Sequence, residues 1–296
     1  MEAVSEQEIA ANNQEKLEQL LAFASTWTTE MGGWQPGKEV ILRGRSLLSD
    51  LDSLTWMGLV IFTITGEIPK PKQVRLYEGI WLISTSFPDP RLWNNRVAAL
   101  ACSVRSTPAL GISAGIAVSE ATIYGHRPLV ACFELLHKVK HELDKGDKLS
   151  ELLQALYSTT TEHRPGFGKV RQPAKIPGFG RPITPVDERI QPLKKRAREC
   201  DCHEGDMFRL AFSIESELLK IAPELKMNIA LLMAALCADQ GMSSRQFYYF
   251  ITLCFSAGIL ACGIDAEQHK EGSFFPLPCK AIHYHGVAKR LWKPVS

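Results

Sequence analysis

The 296-residue sequence has almost no net charge, because 34 lysines and arginines stand against 32 aspartates and glutamates. A nucleic-acid-binding protein that relies on a bulk positive field is normally more basic, so we expect no nucleic-acid partner. Neither a Gly-x-Gly-x-x-Gly fingerprint nor a phosphate-binding P-loop occurs, which argues against a nucleotide-binding fold. Apolar residues at 45 % and charged residues at 22 % are ordinary globular values and argue against a disordered chain.

Long uncharged runs are also scarce. The run from Phe247 to Ile264 has 18 residues without a charge, which is near the lower limit for a membrane helix, and glycines interrupt it. We therefore expect a buried core helix there and no membrane partner. No signal peptide opens the chain, and most of the eight cysteines lie within apolar helical patterns, so we expect a cytoplasmic protein.

The dominant hydrophobic period is helical, which predicts a mainly α fold. Predicted helices in the first half cover Asn13 to Thr28, Trp56 to Ile64 with Gly66 as C-cap, Lys72 to Ser84, Trp93 to Ser103 and Leu110 to Ala121. Lys226 to Gln240 and Ser244 to Ile264 are apolar almost all round, so we expect them to be buried centrally. Glu39 to Leu42 and Ala281 to Gly286 are strand-like.

One stretch differs from the rest. Residues 158 to 193 contain six prolines and four glycines, which predicts an irregular functional loop. From His163 to Arg198 ten cationic residues stand against two acidic ones, a local charge of +8 that leaves −6 for the remainder. Within it, Pro-Gly-Phe-Gly occurs at 165–168 and 177–180, beside Lys169 and Arg181. Turns of this kind expose backbone N–H groups that suit a phosphate or carboxylate.

The segment from Ile176 to Arg189 resembles the loop of citrate synthases and citryl-CoA lyases that reads Pro-Gly-Phe-Gly-His and then Asp-Pro-Arg. Further segments similar to motifs of that family follow in the family's order: Leu42-Arg-Gly-Arg, Thr65-Gly-Glu-Ile-Pro69, Ala131-Cys-Phe-Glu-Leu-Leu136, Met227-Asn-Ile-Ala230 and Tyr284-His-Gly286. The resemblance spans about residues 38 to 290. Each motif alone is weak, and their common order carries the assignment.

The resemblance implies a citrate-synthase-like two-domain helical fold, usually a homodimer with the active site between the domains. We expect a large domain of residues 1–128 and 225–296 and a small domain of residues 129–224 that holds the basic loop. The implied substrate is a coenzyme A thioester. In that family a histidine hydrogen-bonds the thioester enol, an aspartate removes a proton from the acyl group, a second histidine polarises the acceptor ketone, and arginines hold the acceptor's carboxylates.

The sequence departs from this pattern at every acid–base position. Arg181 stands where the family has the histidine after Pro-Gly-Phe-Gly, and Ala230 stands where the aspartate belongs. Gly125 aligns with the other histidine, so His126 is one position away, and Ser86-Phe87-Pro88 occupies the place of an acceptor-binding histidine. An arginine side chain supplies hydrogen bonds and positive charge but does not transfer a proton. An alanine side chain supplies no hydrogen bond, no charge and no proton transfer.

These departures leave two hypotheses. The first is a repurposed enzyme that acts on an acyl-CoA or related carboxylate in carbon–carbon bond formation, cleavage or acyl transfer. Its catalytic candidates are Arg181, His126 and His163. Its substrate-binding candidates are Arg189, Arg164 and Arg43. Its cofactor-binding candidates are Gly178, Phe179, Gly180 and Lys169. The second is a pseudoenzyme that keeps the fold and binds coenzyme A-type ligands or a protein partner.

Other constellations are weak. Cys200-Asp-Cys-His203 is too closely spaced for the usual Cys-x2–4-Cys zinc pattern, and His137 and His141 are surrounded by charged residues typical of a solvated helix face. We therefore expect no metal. The run Lys194-Lys-Arg-Ala-Arg198 is typical of a solvated face as well, whereas Arg181 and Arg189 lie in a Gly/Pro loop that favours a binding role.

Overall fold

The computed structural model describes residues 6–25, 28–162, 176–181, 184 and 186–288. The chain divides into two compact units, residues 1–68 and residues 69–296. Helices dominate, so the predicted mainly α fold is confirmed. The division into a large domain of residues 1–128 and 225–296 and a small domain of residues 129–224 stays a prediction.

The first unit contains two helices and a three-stranded antiparallel sheet of order β1-β2-β3. Its elements are α1 (Glu6–Ser25), β1 (Gly32–Gln35), β2 (Glu39–Leu42), β3 (Arg45–Ser46) and α2 (Trp56–Thr65). Arg43 and Gly44 join β2 to β3 with positive φ angles of 47° and 73°, the backbone geometry of a tight hairpin turn. The Arg43 side chain crosses to α2, where its Nε donates to the Thr63 carbonyl oxygen at 2.9 Å.

The helix predicted over Trp56 to Ile64 is confirmed, with both of its ends capped. Thr55 accepts a hydrogen bond from the Gly58 amide, and Gly66 closes the helix at a φ of 83°. The first helix differs from its prediction. It begins at Glu6 and ends at Ser25, because the residues before Asn13 are good helix formers that carry the helix further toward the N-terminus.

The second unit is built from helices. They are α3 (Pro71–Ser84), α4 (Trp93–Ser103), α5 (Pro108–Val118), α6 (His126–Asp144), α7 (Leu149–Glu162), α8 (Ile190–Glu199), α9 (Asp206–Ile221), α10 (Ile229–Asp239), α11 (Ser244–Ile251) and α12 (Ser256–Glu267). Helix α10 lies at the centre, packed against α6, α8, α9 and α11. Its residues 231–237 are all buried, so the prediction that this segment is central is confirmed.

Two predictions for the C-terminal part were wrong. The apolar segment from Ser244 is not one helix, because residues 252–255 form turns that separate α11 from α12. By length and composition alone, Ser244–Glu267 is the one segment of the described chain that passes as a membrane span, and 44 % of its most apolar window is buried. The strand-like residues 281–286 form no strand: a single 3₁₀ turn, Cys279–Ala281, is followed by irregular, exposed backbone that has no neighbouring strand to pair with.

Candidate functional site

The second Pro-Gly-Phe-Gly loop is fastened to the segment that leads into α10. The Gly180 amide donates to the Lys226 carbonyl oxygen at 2.8 Å, and the Asn228 amide donates to the Gly178 carbonyl oxygen at 2.8 Å. Both glycines have positive φ angles, 85° at Gly178 and 74° at Gly180. A Cβ atom on Gly178 would lie only 2.6 Å from the Leu231 Cβ, so only glycine fits this close approach.

Two backbone amides of this loop already have hydrogen-bond partners within the protein. The amide of Phe179 donates to the Ile176 carbonyl oxygen at 3.1 Å, and that of Gly180 is bonded to Lys226. The Phe179 side chain is buried. The predicted role of Gly178, Phe179 and Gly180 in holding a ligand phosphate stays a prediction, and the two bonded amides have internal partners in this conformation.

The first turn of α10 lies directly beside the loop. Asn228 caps the helix by accepting a hydrogen bond from the Ala230 amide at 3.0 Å. The preceding amide, that of Ile229, donates to the Asp187 carboxylate at 2.9 Å. An acidic side chain at a helix N-terminus is favourably placed to interact with the helix dipole. Ala230 therefore belongs to a well-formed helix start and brings no carboxylate of its own to the site.

Asp187 forms the centre of a buried ion pair. Its side chain is fully buried, and the Arg189 guanidinium donates to both carboxylate oxygens, from Nε at 2.9 Å and from Nη2 at 2.8 Å. Burial alone raises the pKa of Asp187, but the hydrogen bonds from Arg189 and from the Ile229 amide outweigh it, so the pKa is lowered. Asp187 is ionised at neutral pH and is a poor general base.

Arg181, the predicted catalytic arginine, forms hydrogen bonds within its own loop. Its Nη1 donates to Glu188 Oε2 at 2.5 Å and to the Val186 carbonyl oxygen at 3.0 Å, and it lies 3.8 Å from Asp187 Oδ1. The Arg181 side chain is 14 % exposed, whereas Glu188 is 59 % exposed. Arg181 is thus paired with Glu188, and Arg189 is paired with Asp187. A count of charged residues in the sequence does not show this pairing.

Two aromatic residues from distant parts of the sequence complete this cluster. The Phe87 ring lies over the Arg189 guanidinium, 4.9 Å from its centroid, in a cation–π contact. Burial raises the pKa of the Tyr124 hydroxyl, and the nearby positive charges of Arg189 and Arg181 oppose this rise. Phe87 stood out in the sequence only as a departure from the resembled motif, and its contact with Arg189 was not predicted.

His126 is buried at the start of α6, two residues beyond Tyr124. Its ring stacks on Phe255 with centroids 5.2 Å apart, and its Nδ1 lies 3.8 Å from Glu120 Oε2. Glu120 accepts hydrogen bonds from the Tyr248 hydroxyl and from Arg127. Burial lowers the pKa of His126 against the opposing charge of Glu120, so the imidazole is neutral at pH 7. Its Nε2 is buried and has no hydrogen-bond partner.

The other predicted residues are placed as follows. Arg43 lies in the first unit, hydrogen-bonded to Thr63 as described. His163, Arg164 and Lys169 lie outside the described residues. The roles of all four stay predictions.

The basic run in α8 is held by contacts within the protein. The Lys194 ammonium lies 4.4 Å from the Phe212 ring centroid, and Arg196 packs its side chain over Gly79 of α3. Lys195 and Arg196 each approach Glu199. These contacts give the basic residues of α8 a role in packing and surface ion pairs. Arg181 and Arg189 therefore stay the candidates for ligand binding.

One further motif has a structural explanation. Gly111-Ile-Ser-Ala-Gly115 matches the Gly-x-Ser-x-Gly pattern of serine hydrolases, but it lies within α5 and not at a strand-to-helix turn, and glycine is needed at 115 because a Cβ would contact Ile259 at 2.7 Å. Among the described residues no group of three metal-ligating side chains comes together, and the expectation of no metal stays a prediction.

Comparisons with known proteins bear on the fold. No protein-family model matches the sequence, and neither does any curated protein. Solved structures do match. Citryl-CoA lyase from Hydrogenobacter thermophilus superposes with a TM-score of 0.72 at 17 % identity, covering 90 % of this chain and 97 % of that one.

Two other matching structures are an ATP citrate lyase and a citrate synthase. ATP citrate lyase from Methanosaeta concilii matches with a TM-score of 0.68 and 17 % identity over 92 % of this chain and 44 % of its own. Citrate synthase from Pyrobaculum aerophilum matches with a TM-score of 0.60 and 18 % identity over 82 % of this chain and 56 % of its own. The order of motifs in the sequence and the superposition thus agree, and the chain has a helical fold like that of citryl-CoA lyase, ATP citrate lyase and citrate synthase.

Proposed function

We propose that this protein binds a coenzyme A thioester at the loop of residues 176–189 and the start of α10, and acts on it in carbon–carbon bond formation, cleavage or acyl transfer. The observation that carries the proposal is the fastening of the second Pro-Gly-Phe-Gly loop to residues 226–228 by backbone hydrogen bonds. The loop also contains two glycines at positive φ angles and a buried ion pair.

The matching structures support this ligand class. The ATP citrate lyase of Methanosaeta concilii was solved with (3S)-citryl-CoA, and the enzyme of Methanothrix soehngenii with citrate and coenzyme A. Citrate synthase of Thermoplasma acidophilum was solved with carboxymethyl coenzyme A and oxaloacetate. We propose the same class of ligand, a coenzyme A thioester, for this chain, although Arg181 and Ala230 stand at the positions where the resemblance implies a histidine and an aspartate. It also includes a homodimer in the cytoplasm, as in the sequence-based prediction.

Ordinary citrate synthesis does not fit the site. Ala230 has no basic side chain, and both carboxylate oxygens of Asp187 accept hydrogen bonds from Arg189 and the Ile229 amide, which lower its pKa and make it a weak base for an acyl methyl group. A missing general base typically lowers the rate by about 10² to 10⁴. Of the groups described at the site, His126 is the one with a neutral, unpartnered nitrogen that is able to accept or donate a proton.

Calorimetric titration of the full chain with acetyl-CoA tests the binding step. We expect saturable heat with a Kd below about 1 mM, corresponding to at least about 4 kcal/mol. Arg181→Ala is expected to weaken binding by about tenfold, because the loss of a charge-assisted contact has that magnitude. Arg198→Ala, which removes an exposed arginine of α8, is the matched control and leaves Kd unchanged. Absence of heat up to millimolar acetyl-CoA contradicts the proposal.

A pseudoenzyme is the second candidate, and the loss of both the family's aspartate and its histidine favours it. It predicts ligand binding without turnover. A thiol-release assay with acetyl-CoA and a panel of carbonyl compounds separates the two candidates. Thiol release that His126→Ala abolishes supports the enzyme, whereas binding without thiol release for any acceptor supports the pseudoenzyme. Rapid release with oxaloacetate contradicts our interpretation of Ala230.

A further inference from the structure

The first turn of α4 contains two adjacent, buried asparagines. Asn94 is 2 % exposed and Asn95 is fully buried. Asparagine is a poor helix former, and a buried amide is costly unless its polar atoms are hydrogen-bonded. The N-cap residue of this helix is Leu92, so neither asparagine serves as the cap. Their side chains contact other segments of the chain instead.

Asn95 holds the loop that follows α3. Its Oδ1 accepts a hydrogen bond from Ser86 Oγ at 3.0 Å, and its Nδ2 donates to the carbonyl oxygens of Phe87 and Asp89, the latter at 3.2 Å. These bonds fix the backbone on both sides of Phe87. The same loop presents the Phe87 ring to the Arg189 guanidinium, 4.9 Å from the ring centroid.

Asn94 holds the turn between α5 and α6. Its Nδ2 donates to Ser119 Oγ at 3.2 Å, and the Ser119 carbonyl oxygen accepts a hydrogen bond from the His126 amide at 2.7 Å. The neighbouring Trp93 ring contacts the Tyr124 ring edge to face, with centroids 6.1 Å apart. The first turn of α4 therefore contacts this turn at its start and again at Tyr124.

Both of these segments reach the same ion pair. Phe87 covers the Arg189 guanidinium, and Tyr124 lies near the charges of Arg189 and Arg181. The two segments are separated by about thirty residues of sequence, and the first turn of α4 contacts both of them. A fully hydrogen-bonded buried network favours one arrangement of the segments that it joins.

We infer that Asn94 and Asn95 are positioning residues of the candidate site. Asn95 holds Phe87 against Arg189, and Asn94 holds the start of α6 with His126. The inference rests on the proposed function and adds two residues that act on the site through Phe87 and His126.

The Arg189 side chain provides a spectroscopic readout for Asn95. Its Nε–H donates to the buried Asp187 carboxylate at 2.9 Å, which slows exchange with water and gives a separate signal in a ¹H–¹⁵N NMR spectrum of the full chain. The Phe87 ring shields protons that lie over its face, so Phe87→Leu identifies the signal by moving it to lower field. We expect Asn95→Leu to move it in the same direction and Asn94→Leu to leave it in place.

The His126 ring provides the matching readout for Asn94. It stacks on Phe255 with centroids 5.2 Å apart, so its proton signals depend on its exact placement. His126→Phe identifies these signals. We expect Asn94→Leu to move them and Asn95→Leu to leave them in place. Loss of stability alone leaves the signals of the folded state unchanged, so both readouts separate positioning from a purely structural role.

Ser103→Ala is the matched control. It removes a buried hydroxyl that donates to the Leu100 carbonyl oxygen at 2.9 Å within α4 itself, and we expect both signals to stay in place. An unmoved Arg189 signal in Asn95→Leu, an unmoved His126 signal in Asn94→Leu, or movement of both in the control overturns the inference. If an asparagine variant does not fold, Ser86→Ala replaces Asn95→Leu and Ser119→Ala replaces Asn94→Leu, with the same criteria.

Acetyl-CoA binding connects the geometry to the proposed function. We expect Asn95→Leu to weaken binding about fivefold, the magnitude of a lost cation–π contact. The double variant with Phe87→Leu should bind no more weakly than Phe87→Leu alone, because Asn95 acts through Phe87. Multiplied losses overturn the inference. Failure of acetyl-CoA to bind the unchanged chain contradicts the proposed function, and the NMR signals then decide the inference by themselves.

Discussion

The ion pair of Asp187 with Arg189 and the side chain of His126 are both buried and differ in how completely their polar atoms are hydrogen-bonded. The carboxylate of Asp187 uses both oxygens, for Arg189 and for the Ile229 amide. The imidazole of His126 is equally buried, yet its Nε2 has no partner. In the first arrangement both oxygens have partners within the protein, whereas in the second one ring nitrogen has none.

This difference separates structural from binding roles within one site. A residue whose hydrogen bonds are all internal holds the loop against α10, and the energetic cost of removing it is a cost in stability. A residue with an unused, buried polar atom lowers stability until something binds. We therefore expect changes at Asp187 and Gly178 to affect mainly folding, and changes at His126 to affect mainly ligand binding.

The largest expected effect is on stability, from Asp187→Ala. This change leaves the mostly buried Arg189 guanidinium without its carboxylate and the Ile229 amide without an acceptor. Breaking a buried pair in this way typically costs about 3–5 kcal/mol. The matched control is Glu188→Ala, which removes an exposed partner of Arg181 and should cost less than about 1 kcal/mol. Urea unfolding measures both, and similar values for the two variants would contradict the structural role of Asp187.

The next effect concerns the close approach of the loop to α10. Gly178→Ala puts a methyl group against Leu231 at a φ of 85° and should lower the free energy of unfolding by about 2–4 kcal/mol. Gly146→Ala has a φ of 104° but nothing within 4 Å, so we expect about 1–2 kcal/mol from backbone strain alone. Thermal and urea unfolding compare the variants. An equal loss at both positions would show that the loop does not pack on α10 as described.

The sequence predicted the scaffold of this site better than its contacts. The helical period and the capping residues Thr55 and Gly66 are local features, and the helix that they predict is confirmed. The central position of α10 follows from its apolar character on every side. The order of weak motifs indicated the fold, which the solved structures confirm.

The site's electrostatics could not be predicted from the same information. A count of ten cations between residues 163 and 198 indicated an anion site, but the count does not show that Glu188 pairs with Arg181 or that Asp187 pairs with Arg189. The Phe87 ring comes from about one hundred residues earlier in the chain, and only tertiary packing brings it over Arg189. The unpartnered state of His126 is likewise a property of the folded environment.

The smallest expected effect is the pH dependence that His126 confers. Its pKa in the folded protein is lowered from about 6.5, so the unfolded chain binds more protons as the pH falls below that value. The free energy of unfolding should therefore decrease on acidification below about pH 6.5 and level off above it. In His126→Phe this component is absent and stability at pH 7 changes by less than about 1 kcal/mol, because an unsatisfied polar group has been replaced by an apolar ring of similar shape.

Chemical unfolding at a series of pH values between 5 and 8 tests this expectation. An unchanged slope in the His126→Phe variant would show that another group produces it. Glu120, Tyr248 and Arg127 are the charged and titratable groups that face or adjoin His126, and Glu120→Gln identifies the part that depends on its carboxylate.

A crystal structure of the full chain with acetyl-CoA tests the account most directly. We expect the thioester at the Pro-Gly-Phe-Gly loop of residues 177–180, with the Asp187–Arg189 pair intact. Coenzyme A bound away from residues 176–189, or an Asp187–Arg189 pair that is broken in the complex, would contradict the account.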